Sequence, residues 1–288
     1  MKIAIYGSRR QYDFFPAIGA FLRELDALGI GIVMHRKLYS HLVGAIPAAL
    51  KGVCRVTEGP DFEADVAVSI GGDGTFLRTA QWLGGKEIPV VGVNTGHLGY
   101  LAAVSVDELA SLPSMLMTGS YHVEPRGLIA ADCPELRQSR LWPYALNEVA
   151  VAKEESSSMI SAEVTLDGHH LADYRADGLL VCTPTGSTAY NLSIGGPIVQ
   201  PMVPVRVIAP IAAHSLSMRP LVVGAASEIV VKPEARASHV RLSLDGRSLA
   251  VAVGTSVALT DAPFKVLVIR KPDTSFAETL REKLRWAD

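Results

Sequence analysis

The stretch Ser69 to Arg78, SIGGDGTFLR, sets one carboxylate, Asp73, among three glycines, Gly71, Gly72 and Gly74. It follows an apolar run and precedes a helical pattern. A glycine loop so placed can bring backbone N–H groups close to a phosphate, and the start of the helix favours negative charge. The acid is the informative departure. Beside a polyphosphate it is repelled, unless a divalent cation lies between them or its task is to take a proton; phosphoryl transfer has a use for both. The pentapeptide ending at Thr75 is neither GxGxxG nor a Walker A loop, because no Gly-Lys-Ser/Thr follows. A tight turn remains the other reading of this stretch, with glycine supplying positive φ and the aspartate bonding its own backbone.

A second constellation lies in TPTGSTAYNLSIGGP, Thr183 to Pro197, behind the apolar run Gly178 to Cys182. Thr183, Thr185, Ser187 and Thr188 offer four hydroxyls, Gly186 frees the backbone, and a helix start is expected near Ser187. Such a cluster suits hydrogen bonding to ribose, amide or phosphate; a proline turn followed by an N-cap accounts for only part of it. Upstream, ALNEVAVAK places Asn147 and Glu148 side by side in a strand-like run. Adjacent strand residues face opposite sides, so two polar neighbours point to a strand end at a site, where a carboxylate can accept from sugar hydroxyls.

The elements that must carry these residues divide into two rhythms. Up to about residue 123, short apolar strands alternate with amphipathic helices: KIAIYG, a helix with Phe14, Ile18, Phe21, Leu25 and Leu28 on one face, IGIVMH, a helical stretch around HLVGAIPAALKG, ADVAVSI, a helix from about Thr75 to Leu83, and IPVVGV. This pattern predicts an open α/β domain with a parallel sheet covered on both faces. From about residue 124 strands recur at hairpin spacing, among them ALNEVAVAK, LADYRADGLLVCTP, HVRLSL and KVLVIRK, with Asp167-Gly168 and Asp245-Gly246 as type I′ turns. The expectation is an antiparallel β-rich, sandwich-like domain over 124–273. A closing helix over 274–288 is expected to return to the first domain (1–123), with Ser275 and Glu278 as a capping box and Phe276, Leu280 and Leu284 on one face.

Composition limits the partners. With 27 basic against 29 acidic residues the chain has a formal charge of -2, so nothing global points to nucleic acid or an anionic membrane. Three isolated cysteines, Cys54, Cys133 and Cys182, carry no metal spacing and read as small core residues in a reducing compartment. MKIAIYGSRR is too short an apolar run for a secretory signal, and no window reaches 18 apolar residues, so the expected location is cytoplasmic.

Taken in order, GGDGT, the NE pair and TPTGSTAYNLSIGGP closely resemble the NAD kinases, which phosphorylate the adenosine 2′-hydroxyl of NAD to make NADP. GGDGT alone is shared with diacylglycerol, sphingosine and phosphofructo-type kinases; the threonine-rich motif is much more specific. A lipid kinase on the same loop is opposed by the lack of a basic amphipathic segment. A dinucleotide sensor would gain nothing from Asp73. The resemblance spans nearly the whole chain and implies that Asp73 accepts the proton of the 2′-hydroxyl, while Gly71, Gly72, Gly74 and Thr75 form the donor-phosphate loop and Arg78 neutralises phosphate charge. Asn147 and Glu148 would hold the adenosine portion, and Asp177 the nicotinamide end beside Arg175. Thr188, Ala189, Tyr190 and Ser193 would line the adenine and ribose pocket, Asn191 and Leu192 complete that run, and Ala212 lies near. It further implies ATP as donor, a divalent cation (Mg2+ foremost) held mainly by the nucleotide, and a homodimer or homotetramer that completes its NAD site across subunits. Ser158 and Arg247 stand where some relatives carry His or Gln. His97, in NTGHLGYL, and Asp245-Gly246 occupy family-like positions that a loop bond and a hairpin turn explain equally well.

Overall fold

The computed structural model describes residues 1–7, 12–96, 99–154 and 159–284. The chain begins with β1 (Lys2–Gly7), α1 (Phe15–Ala27), β2 (Gly31–His35), α2 (Arg36–Leu42), β3 (Val53–Thr57), β4 (Val66–Ile70), α3 (Asp73–Leu83), β5 (Val90–Asn94), β6 (Ala102–Ser105), α4 (Leu112–Thr118) and β7 (His122–Arg126). Next come β8 (Ile129–Asp132), α5 (Pro134–Gln138), β9 (Tyr144–Ala145), β10 (Glu148–Lys153), β11 (Ile160–Leu166), β12 (His169–Ala176), β13 (Gly178–Cys182) and α6 (Tyr190–Ser193). The remainder is β14 (Val205–Ile211), β15 (Leu221–Gly224), β16 (Ile229–Glu234), β17 (His239–Leu244), β18 (Arg247–Ala252), β19 (Val257–Asp261), β20 (Val266–Arg270) and α7 (Phe276–Leu284). Two compact units result: residues 1–125 with 266–288, and residues 126–265.

In the first unit an eight-stranded sheet runs β3-β2-β1-β4-β5-β20-β7, with β6 beside β5. β1 pairs in parallel with both β2 and β4, and β5 pairs in parallel with β4, β6 and β20. The chain winds outward from β1 to β3, then returns to lay β4 on the other side of β1. That reversal is the point at which open sheets of this kind hold ligands, beyond the carboxyl ends of the strands. All five residues of β4 are buried, as a strand covered on both faces requires. Ile18, Phe21, Leu22 and Leu25 of α1 pack on Ile3, Ile5 and Val68, each side chain contributing about 1.5–3 kcal/mol by leaving water. Gly29, at φ 67°, ends that helix as expected, and exposed Leu28 stands outside the face assigned to it.

The second unit is a sandwich of two six-stranded antiparallel sheets, β15-β14-β13-β10-β17-β18 and β12-β11-β16-β19-β8-β9. Val149, Val181 and Leu242 of one meet Ala162, Val164 and Ile229 of the other in a single core. Both Asp-Gly turns have positive φ at each residue, 51° and 79° at Asp167-Gly168, 46° and 79° at Asp245-Gly246. That is the type I′ geometry, whose twist matches the flanking strands.

Four local expectations change. LADYRADGLLVCTP is two strands in different sheets, broken at Asp177, because a Cβ on Gly178 would come within 2.9 Å of the Val151 carbonyl and only glycine lets β13 lie against β10 there. KVLVIRK, expected among the antiparallel strands, lies in the parallel sheet against β5; a short run without polar alternation suits a strand covered on both faces. HLVGAIPAALKG resolves into the end of α2 and a 3-10 turn, Pro47–Leu50, since Pro47 cannot continue the helix. Cys54 is exposed on the sheet's edge strand β3, its thiol donating to the Ile32 carbonyl at 3.2 Å, whereas Cys133 and Cys182 are buried as expected. Burial pushes the Cys182 thiol up to about 12, so it stays an inert hydrophobe.

Candidate active site

The glycine loop leaves β4 with the Gly71 N–H bound to the Val93 carbonyl and Gly71 at φ 148°, a conformation that favours glycine. Gly72 caps α3 without a side chain, so the helix begins at Asp73, two residues earlier than its apolar pattern predicts. A Cβ added to Gly72 or Gly74 would meet nothing within 4 Å among the described residues. Internal packing therefore does not require glycine at either position, and the open space lies at a helix N-terminus, where an anion is favoured.

Asp73 is held rather than loose. Its two oxygens accept the N–H groups of Tyr100 at 2.9 Å and Leu101 at 3.2 Å, and Gly99 is the residue that makes room, since a Cβ there would lie 1.9 Å from Oδ1. Buried Arg270 braces the same loop by donating to the Tyr100 carbonyl at 2.7 Å and to Glu124 at 3.3 Å. Thr75 is buried and Arg78 exposed, with 3.4 Å between the Arg78 guanidinium and the Thr75 hydroxyl. The Tyr6 phenol also bonds Arg78, although burial prevails and raises the tyrosine's pKa. His97 lies outside the described residues.

In the second unit Asp245 organises the Asn147-Glu148 pair. Its carboxylate, only 3 % exposed, accepts the N–H groups of Leu146 and Asn147 at 2.8 Å and of Glu148 at 3.1 Å. Burial raises the Asp245 pKa against those three bonds. Burial, with the Asp245 charge beside it, raises Glu148 to about 7. Glu148 Oε2 is buried and has no hydrogen-bond partner among the described residues. Such an atom is costly unless a ligand completes it. Asp245 is thus both a hairpin-turn residue and the support of the Asn147-Glu148 backbone.

The hydroxyl cluster departs from expectation. Thr183 donates to the Leu146 carbonyl at 2.5 Å and accepts the Gly186 N–H, Thr185 accepts from Arg126 at 3.3 Å, and Ser187 ties Pro184 to Val199. These three hydroxyls are buried and bind the protein itself, because a loop this short must satisfy its polar groups internally. Thr188, Ala189, Tyr190, Leu192 and Ser193 are at least partly accessible, but Asn191 is fully buried, its amide donating to the Ser187 and Pro197 carbonyls. Exposed Ala212, at φ 50°, holds a left-handed conformation unusual for alanine. It follows β14, whose Ile211 carbonyl accepts the Asp177 N–H. The Asp177 carboxylate receives Lys153 at 2.7 Å, and Arg175 is exposed nearby in the chain. Arg247 is committed to the carbonyls of Trp142 and Tyr144 at 2.6 and 2.7 Å. Ser158 lies outside the described residues.

Comparison with known proteins bears on both units. Residues 34–121, which include the glycine loop, match the family model of the ATP-NAD kinase N-terminal domain, and residues 146–271 match that of the C-terminal domain. The chain belongs to the NAD kinase family. An NAD kinase of Porphyromonas gingivalis is 42 % identical over 289 residues, covering 99 % of this chain and 98 % of that protein. One from Bacteroides fragilis is 38 % identical over 286 residues, with the same coverage. Two solved structures share the fold at 24 % identity. Yeast NADH kinase complexed with NADH has a TM-score of 0.88, covering all of this chain and 88 % of that one. An Archaeoglobus fulgidus NAD kinase in complex with ATP has a TM-score of 0.74, covering 99 % of each. Family membership accounts for the α/β unit, the β-rich unit and the closing helix together.

Sequence reasoning missed Gly99, Tyr100 and Arg270 as supports of Asp73, and Asp245 as the cradle of the Asn147-Glu148 pair. A charged residue ending the apolar run of β20 was the available signal for Arg270; the others depend on chain folding alone.

Proposed function

We propose that the chain transfers the γ-phosphate of ATP to the 2′-hydroxyl of the adenosine ribose of NAD, giving NADP, with Asp73 as the proton acceptor. The observation that carries this reading is the pairing of an oriented carboxylate with glycine positions that internal packing leaves open. The Tyr100 and Leu101 N–H groups fix the carboxylate plane, and each of its oxygens keeps a further lone pair for the incoming hydroxyl. The γ-phosphorus leaves the ADP oxygen and joins the 2′-oxygen while the hydroxyl proton passes to Asp73, without a covalent enzyme intermediate. Gly71, Gly72, Gly74 and Thr75 shape the donor site, and Arg78 offsets phosphate charge.

On the acceptor side, we assign Asn147, Glu148, Arg175, Asp177, Thr188, Ala189, Tyr190, Leu192, Ser193 and Ala212 to NAD. Asn191 contributes from inside, as the brace of that loop. Support comes from the orphan oxygen of Glu148, which a ribose hydroxyl would complete. The divalent cation, Mg2+ foremost, arrives on the triphosphate as part of the substrate.

A homodimer or homotetramer is the assembly we propose. Exposed Val222 on the edge strand β15 and Leu216, 93 % exposed in the loop before it, are surfaces that a second copy would cover. No helix among the described residues is long and apolar enough to cross a membrane. We propose a cytoplasmic location, which free Cys133 and Cys182 fit. The test of the reaction is a coupled assay with NAD, ATP and magnesium, reading NADP through an NADP-specific dehydrogenase. ATP-dependent NADP is expected; NAD binding without NADP from ATP or polyphosphate would overturn the reading.

A further inference from the structure

Lys283, near the end of α7, belongs to the same unit as the glycine loop. Its Nζ is buried and has no hydrogen-bond acceptor among the described residues. An ammonium has three N–H donors, and burying them unmatched is unfavourable unless a ligand supplies acceptors. Three charged groups face it. Asp73 of α3 and Glu282 of its own helix favour the ammonium, while Arg270 of β20 disfavours it; burial, together with Arg270, outweighs the two carboxylates and brings Lys283 down to about 8. Asp73 and Arg270 already have partners in the loop around Tyr100. Lys283 therefore keeps open donors beside the carboxylate that marks the reaction centre.

We propose that Lys283 is a further catalytic residue of the donor site, its ammonium binding the phosphate that arrives over the glycine loop. This rests on ATP as the donor. In the transfer the bond from γ-phosphorus to the ADP oxygen breaks, the bond to the 2′-oxygen forms, and the hydroxyl proton goes to Asp73. Lys283 retains all its protons and stabilises the charge on the moving phosphoryl group. The C-terminal helix thereby becomes part of the active site rather than a closing strap.

The test compares wild type, Lys283→Met and Lys283→Arg. Calorimetric titration with magnesium-ATP near pH 8, in two buffers of different ionisation enthalpy, measures proton uptake on binding without relying on turnover. Wild type is expected to take up protons, because phosphate raises the lysine pKa, and Lys283→Met is expected to take up none. Lys283→Met should bind magnesium-ATP about 10- to 100-fold more weakly and NAD within about twofold of wild type. In the coupled assay the rate of wild type should fall as pH rises through the lysine pKa, and the non-titrating cation of Lys283→Arg should move that fall to higher pH. Equal magnesium-ATP binding in wild type and Lys283→Met would overturn the proposal. So would a wild-type rate that climbs through the same pH range with Lys283→Arg inactive, which would make the lysine the base. Parallel loss of ATP and NAD binding with a lowered Tm in both variants would reduce Lys283 to a structural residue. If wild type bound both nucleotides yet made no NADP, the reaction assigned above would fail, and the proton-uptake titration would still decide the role of Lys283.

Discussion

The loops Gly71–Thr75 and Thr183–Thr188 are both built mainly of small residues, and those residues do opposite work. In the first, a Cβ on Gly72 or Gly74 meets nothing within 4 Å among the described residues, so the glycines leave space. In the second, a Cβ on Gly186 would sit 2.1 Å from the Asn147 carbonyl oxygen, so the glycine permits a close approach within the protein. The hydroxyls follow the same division, since Thr183, Thr185 and Ser187 brace their own loop. Richness in glycine and hydroxyl does not by itself mark a ligand contact. We assign ligand contacts instead by the space in front of those groups and by Glu148 Oε2 and Lys283 Nζ, which have no partner among the described residues.

Four substitutions break or sharpen this contrast. Asp73→Asn removes the carboxylate that we propose as the base of the open loop while keeping an acceptor for its N–H partners. It should lower kcat about 10²–10⁴-fold, the usual worth of general-base help, with Tm and NAD affinity largely kept. Gly186→Ala, in the self-braced loop, should show the reverse. Overpacking costs about 1–3 kcal/mol, so denaturant titration should find a less stable protein whose folded fraction still turns over.

Glu148→Gln tests through pH the buried carboxylate whose Oε2 has no partner among the described residues. The folded pKa of about 7 lies above the ordinary glutamate value of 4.5, so the native state holds the proton more tightly. The associated stability is full below about pH 4.5 and fades as pH rises toward 7, at up to about 1.4 kcal/mol per unit. Glu148→Gln should flatten that decline in a series of unfolding curves; an unchanged slope would assign it elsewhere. The smallest effect on folding belongs to Gly74→Ala. A helix gains up to about 1 kcal/mol from this change, so Tm should hold or rise while the KM for ATP increases about tenfold, roughly the weight of one lost phosphate hydrogen bond. A loss of stability there would mean that the space in front of the loop is not free.

Local pattern made much of this legible. The buried run of β4, the type I′ turns and the capping box at Ser275, whose N–H meets Glu278 at 3.1 Å, are encoded within a few residues and appear in the structure. Asp73, Asn147 and Glu148 stood out because polar residues interrupt apolar runs there. What supports them did not. Tyr100 and Arg270 reach Asp73 and its loop from distant segments, and the Asp245 carboxylate closes on three N–H groups across nearly a hundred residues. No periodicity signals such contacts, since they arise only when strands are laid side by side. The threonine-rich loop misled for a related reason: hydroxyls read as ligand donors also satisfy a buried turn, and only the path of the chain shows which they do.

The most direct test of the central assignment follows the phosphate itself. ATP labelled in its γ-phosphate, mixed with NAD and magnesium, should deliver label to the 2′-oxygen of the adenosine ribose in wild type. With Asp73→Asn, still binding NAD, that transfer should fall by two orders of magnitude or more. Label released to water as inorganic phosphate, or transfer by Asp73→Asn at near wild-type rate, would contradict the account.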